Sequence, residues 1–135
     1  MTVGAHNDAA RDGGPITVVM VMMLVIVLAG AALIVDGGRV MVARRHASNT
    51  AEAAARAAVA TATPVSGFDP VKAQAAALDY ALRSGVAATD VLVEVAADHV
   101  SVTITERRRT VFLILGGQEM VTVEATGTAR FAYSD

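Results

Sequence analysis

The stretch "GGPITVVMVMMLVIVLAGAALIVDGGR", residues 13–39, decides how the rest of the chain is read. Ile16 to Val35 form twenty consecutive residues without a formal charge. At a helical rise of about 1.5 Å per residue they extend about 30 Å, the thickness of a bilayer's hydrocarbon core. Twelve of the twenty are Leu, Ile or Val. At about −0.3 to −0.6 kcal/mol each, they favour insertion by at most about 4–7 kcal/mol. Thr17 is the one hydroxyl in the run, and in a helix it can bond back to its own backbone. Pro15 stands where a first helical residue would, and there its missing N–H breaks no helical bond. The run reads as a transmembrane helix over 15–36. Ala29-Gly30-Ala31 offers another reading, a signal peptide cut after Ala31 at a small-x-small site. Against a cut stand the single Arg11 between Asp8 and Asp12, and the apolar Leu33-Ile34-Val35 beyond it.

Composition narrows the function classes. The formal net charge is −2 over 135 residues, which points away from nucleic acid. The absence of Cys removes disulfides, thiolate metal sites and Cys nucleophiles together. The chain is 54% hydrophobic but only 4% aromatic, so packing must come from Ala and Val rather than large rings.

Outward from the run, residues 1–14 are polar, small and Gly-containing, and predict a disordered tail. On the other side, Asp36-Gly37-Gly38-Arg39 marks the membrane exit. Each glycine weakens a helix by about 1 kcal/mol, so the pair could end or kink it; a helix that runs through them to about Ala62 would be about 70 Å long. Val40, Ala43, Ala47, Ala51, Ala54 and Ala58 then recur at spacings of three and four. They share one narrow face of small side chains, which lets another backbone approach closely. Glu52 and Arg56 form a favourable i,i+4 pair off that face.

"TPVSGFDP" (63–70) reads as a loop. Asp69 and Pro70 predict the N-cap and first residue of a second helix, with Gly85 at its C-cap. The large apolar residues of that helix place its buried face at Val71, Ala75, Leu78 and Leu82. "VLVEVA" (91–96) and "HVSVTIT" (99–105) then alternate around Ala97-Asp98 as a hairpin. "TVFLILGG" (110–117) is a continuous apolar run, and residues 120–132 alternate again. Val121, Val123, Ala125, Gly127, Ala129 and Phe131 fall on one face, which becomes small toward its end as if a helix pressed on it. The fold class is α+β. A transmembrane helix continues into an Ala-rich helix, and a second short helix and a three- to four-stranded antiparallel sheet follow in residues 37–135.

Several local features carry a family likeness. Gly13-Gly14 precede the apolar run, which leaves through "VDGGR" (Val35 to Arg39). The pair Arg44-Arg45 follows, then an acid inside an Ala cluster, "AEAAARAA" (Ala51 to Ala58). A final alternating strand of small residues, "VTVEATGTA" (Val121 to Ala129), completes the set. This plan resembles that of pilins and pseudopilins, and more closely TadE/TadG-like minor pilins of tight-adherence (Flp-type) pilus systems. The resemblance implies a single-pass protein of the cytoplasmic membrane, with its N-terminus inside and its domain outside. It also implies other pilin or pseudopilin subunits and the pilus assembly machinery as partners, beside the lipid bilayer. Arg39, Arg44 and Arg45 follow the span while only Arg11 precedes it, which by the positive-inside rule alone would turn the domain inward. Two features depart from prepilins, which are cut after a Gly and carry Glu at the fifth mature position. The fifth residue after Gly14 is Val19, and a cut there would have to break a Gly-Pro bond.

No constellation suggests chemistry. His6, His46 and His99 lack metal-ligand spacing, and none of the serines sits in a nucleophile elbow. Asp36 reads either as an interfacial carboxylate beside Arg39 or as a polar contact with a partner span. Arg107-Arg108-Arg109 read as a solvated turn, or, beside Phe112, as a contact with anionic headgroups or a partner. No catalytic, cofactor or metal residue and no small-molecule substrate is indicated. The expected protein is not an enzyme but a membrane-anchored minor pilin-like component acting through helix packing and protein contacts. The alternative is a secreted soluble binding domain released after Ala31.

Overall fold

The computed structural model describes residues 13–63 and 67–131. The expected disordered tail therefore lies outside the described residues up to position 12, as do residues 64–66 of the loop and the last four of the chain. Helix α1 runs from Gly13 to Val59 without interruption. Its 47 residues give a rod about 70 Å long. Gly37 and Gly38 neither end it nor break it. The remaining elements are α2 (Pro70–Arg83), β1 (Val91–Val95), β2 (His99–Arg109) and β3 (Met120–Arg130). The strands form one antiparallel sheet in the order β1-β2-β3.

The fold has two layers. α1 and α2 cover one face of the sheet and pack against each other. Val100, Val102 and Ile104 of β2 point into this layer and are its largest fully buried side chains. They meet Ala47, Ala51, Ala54, Ala55 and Ala58 of α1 and Ala73, Ala77 and Ala81 of α2. The outward face of the sheet is polar, and Ser101–Thr128 and Thr103–Thr126 link across it by hydroxyl bonds of 2.9 Å. Phe68 and Phe131 close the core edge to face, with ring centroids 4.2 Å apart.

Gly127 sets the depth of the helix on the sheet. It pairs with Val102, and a Cβ added to it would lie 2.3 Å from the backbone N of Glu52 and 2.4 Å from the carbonyl carbon of Ala51. The α1 backbone thus rests directly on the β3 backbone, and only a residue without a side chain fits between them.

Two expectations are corrected, the buried face of α2 and the turn at Arg107 to Arg109. The buried face of α2 is Ala73, Ala77 and Ala81, while Val71, Ala75 and Leu82 are exposed and Leu78 is half-buried. The two faces differ by about 130° at about 100° per residue. Hydrophobicity favours the larger residues, but a helix lying close against the Ala face of α1 can bury only small ones. The apolar run 110–117 is a connection containing a short 3-10 turn, Leu113–Gly116, so the sheet has three strands, within the expected three to four. Arg107, Arg108 and Arg109 do not form a turn; they end β2, paired with Thr122, Val121 and Met120. Asp69 and Pro70 start α2, with the Asp69 carboxylate accepting from the amide of Val71 at 3.0 Å. Gly85 follows the helix at a φ of +86°, where residues with side chains are strained.

Gly127→Ala is expected to destabilise the domain by about 1–3 kcal/mol, since the added methyl must lift α1 from the sheet. Gly38→Ala, whose Cβ would meet nothing within 4 Å, is expected to leave stability unchanged or raise it by up to about 1 kcal/mol. Chemical denaturation of the full chain in detergent compares the two. Equal stability of the Gly127→Ala and unsubstituted chains would show that α1 does not rest on β3.

Candidate functional site

The features that could do work gather where α1 leaves its apolar section. Along α1, Ile16 to Leu28 and Leu33 to Val35 are all exposed, and nothing among the described residues covers them. This is the one helix among the described residues that is long and apolar enough to cross a membrane. Cover begins at Asp36, which is only 2% exposed.

Asp36 lies on the same helical face as Ala43, Ala47, Ala51, Ala54 and Ala58, all of them buried, and Val40 between them is half-buried. Its carboxylate reaches the connection between β2 and β3. One oxygen accepts from the amide of Val111 at 3.0 Å, and the other from the amides of Phe112 and Leu113, both at 2.9 Å. A carboxylate has two acceptor oxygens and no donor, so it can hold three converging N–H groups that a neutral side chain would leave partly unmet. These bonds tie the connection to the exit of the apolar section. Sequence reading placed Asp36 beside Arg39 or against a partner. The Arg39 charge does act on it, and its hydrogen bonds go to its own chain 75 to 77 residues away, where no local signal could have revealed them. Gly37, Gly38 and Arg39 are exposed, and neither glycine is approached by a neighbour.

A second polar cluster lies further along the helix. Glu106 is buried at the end of β2 beside Val123, its cross-strand partner. Its carboxylate bonds to Nδ1 of His46 and accepts from the Arg108 guanidinium at 2.8 Å. Burial pushes its carboxyl up, but the His46 ring and the Arg108 charge outweigh this and hold it below the ordinary carboxylate range. Arg107 turns to Asp90 at 2.7 Å. The sequence reading treated His46 as incidental and did not single out Glu106. The two are 60 residues apart and meet only because β2 runs back along α1. His99 bonds to Asp98 at the hairpin, and holds that exposed carboxyl below its usual range.

Arg39, Arg108 and Arg109 line a cleft of about 500 Å³ together with Val35, Gly38 and Val42. Phe112, Ile114 and Leu115 are exposed on the connection, Leu115 at 88%. Among the described residues no group of three or more His, Cys, Asp or Glu could hold a metal ion.

These features define a class: an uncovered apolar helix with a small α+β domain built around its far half. Residues 14–62 match the family model described as "Putative Flp pilus-assembly TadE/G-like". Over that segment, nearly the whole of α1 and the three residues after it, the chain is similar to that family. No curated protein and no solved structure matches the chain. The family is one of pilus-assembly components rather than of a known enzyme class.

Asp36→Ala is expected to speed hydrogen exchange of the Val111, Phe112 and Leu113 amides by about tenfold or more, leaving those of Val100 to Ile104 protected. Uniform exchange changes across the domain, or none, would show that the carboxylate does not hold the connection. The Glu106 carboxyl is more acidic in the folded chain than its ordinary value of 4.5. Its charged form therefore stabilises the fold above that value, and the contribution is lost as pH falls through the lower folded value. Unfolding midpoints taken from pH 6 downward should fall less steeply for Glu106→Gln than for the unsubstituted chain.

Proposed function

We propose that the protein is a membrane-anchored minor pilin-like component of tight-adherence pilus assembly, working by helix packing and protein–protein contacts. The observation that carries this reading is the division of α1. One half is apolar and uncovered, the other is the central strut of a folded domain, and the two together match the TadE/G-like model. The span over 15–36 stores the subunit in the cytoplasmic membrane, with the N-terminus inside and the domain outside. Arg39 at the exit can reach either interface with its long side chain, so the arginine count alone opposes this orientation only weakly.

Helix packing then has a specific location. The face of Val40, Ala43, Ala47, Ala51, Ala54 and Ala58 faces the chain's own sheet and α2, so it supports assembly by holding the domain rigidly on the rod. Contacts with other subunits fall to the surfaces left open. These are the apolar section of α1, where lipid contacts can be exchanged for helix contacts, and the exposed stripe of Val71, Ala75 and Leu82 on α2. Release after Ala31 is the competing reading. It would leave every bond of Asp36 in place, since those bonds begin beyond the cut.

Fractionation of native cells with the intact mass of the product separates the readings. A carbonate-resistant membrane form that retains residues 15–35 and is recovered with pilus-assembly proteins is the expected result. A product starting at Ala32 in the culture supernatant would replace the anchored reading with the secreted one. Ala51→Leu and Ala54→Leu are each expected to destabilise the domain by about 1–3 kcal/mol, and with it to lower recovery of partners.

A further inference from the structure

The connection between β2 and β3 combines three properties. Its apolar tip is uncovered, with Leu115 88% exposed and Phe112 and Ile114 nearly half exposed. Its amides are fixed by Asp36 to the residue that directly follows the apolar section of α1. At its root, β2 delivers Arg108 and Arg109 into the cleft that also holds Arg39, with Val35 and Val42 as apolar wall. Arg108 is partly neutralised by Glu106, but Arg39 and Arg109 make no ion pair among the described residues. A solvated turn has no need of an exposed Phe, Ile and Leu, and a cleft facing water has no need of three guanidinium groups around a valine wall.

We propose that this connection is a second membrane contact, in which the apolar tip lies in the interfacial layer and Arg39, Arg108 and Arg109 hold the phosphate of an anionic phospholipid. Two arguments select a lipid rather than another protein. The tip is tied through the Phe112 and Leu113 amides to Asp36, the residue directly after Val35, so what surrounds the end of the apolar section lies beside the connection. The cleft offers positive charge beside apolar wall, the pairing that a headgroup phosphate and its acyl chains require. Two contacts, a span and a tip, would fix the domain's tilt about the span where one helix would leave it free to rotate. Asp36 is the positioning residue of this contact, not a ligand of the lipid.

This inference rests on the anchored reading, and the experiment separates the two. The chain contains no Trp, so Leu115→Trp places one fluorescent indole at the tip and Leu24→Trp one in the span. Each full chain is reconstituted into vesicles of phosphatidylcholine and phosphatidylglycerol, with one lipid or the other brominated to quench. At the tip, brominated phosphatidylglycerol should quench more strongly than brominated phosphatidylcholine. Arg39→Gln and Arg109→Gln should each lower its relative affinity there by about fivefold. Arg39 and Arg109 lie outside the bonds of Glu106, and unchanged quenching of the Leu24→Trp span in each variant checks that insertion is preserved. Equal quenching by both lipids, or a preference untouched by the substitutions, would overturn the anionic clamp. An unquenched tip beside a quenched span would overturn the second contact and leave the anchor standing. An unquenched span would sink the anchored reading and this inference with it.

Discussion

The structure depends on the contact between two backbones, that of α1 at Ala51–Glu52 and that of β3 at Gly127. With no side chain between them, the helix lies deep enough for alanines to make the core. A core of this kind gains less from each buried side chain than one built of Leu and Phe, because the apolar area removed from water is smaller. It compensates through close approach, which brings many atom pairs to contact distance along the whole face. The largest fully buried side chains of the layer, Val100, Val102 and Ile104, all come from β2, the central strand. Small faces let the two helices approach each other closely, and the branched side chains of the strand fill the space beneath them.

That seating also determines what can happen at the other end of the domain. Because α1 and β2 lie in fixed register, the last residues of β2 arrive at the helix where its apolar section ends. Glu106 meets His46 and Arg108, and two residues beyond the strand Asp36 collects three amides. The polar contacts at this end tie successive points of β2 and its connection to successive points of the helix. The rod and the domain are joined over a length rather than at a hinge, despite the two glycines in the joint. The apolar section is therefore tied to the sheet by several contacts along the joint rather than by one.

Much of this was legible in the residues. The apolar run, the Asp-Pro start of α2, the hairpin at Ala97-Asp98 and the shrinking face of β3 all follow from local period and turn chemistry. The small residues at Ala125, Gly127 and Ala129 announced a helix pressing on that strand, and the helix is there. The misplaced face of α2 and the uncovered run from Phe112 to Leu115 share one reason. Val71, Leu78 and Leu82 outrank alanine on any scale of burial, and Phe112 to Leu115 look like the middle of a strand. Pattern reading assumes that the most apolar residues are covered first. In a chain that reads as meeting lipid, and whose helices approach each other closely, exposure of large apolar residues and burial of small ones is the reverse assignment.

The sequence by itself determined the division of α1 into an apolar half and an Ala-faced half, the α+β class and the likeness to TadE/G-like proteins. These are properties of neighbouring residues and of spacings within one element. Only the tertiary structure decided the partners of Asp36 and Glu106, the buried side of α2 and the meeting of Arg39 with Arg108 and Arg109. Each of these joins residues far apart along the chain, and each depends on how deeply and in what register a helix sits on a sheet. That depth is set by one missing side chain at Gly127, whose effect reaches residues that no local pattern connects to it.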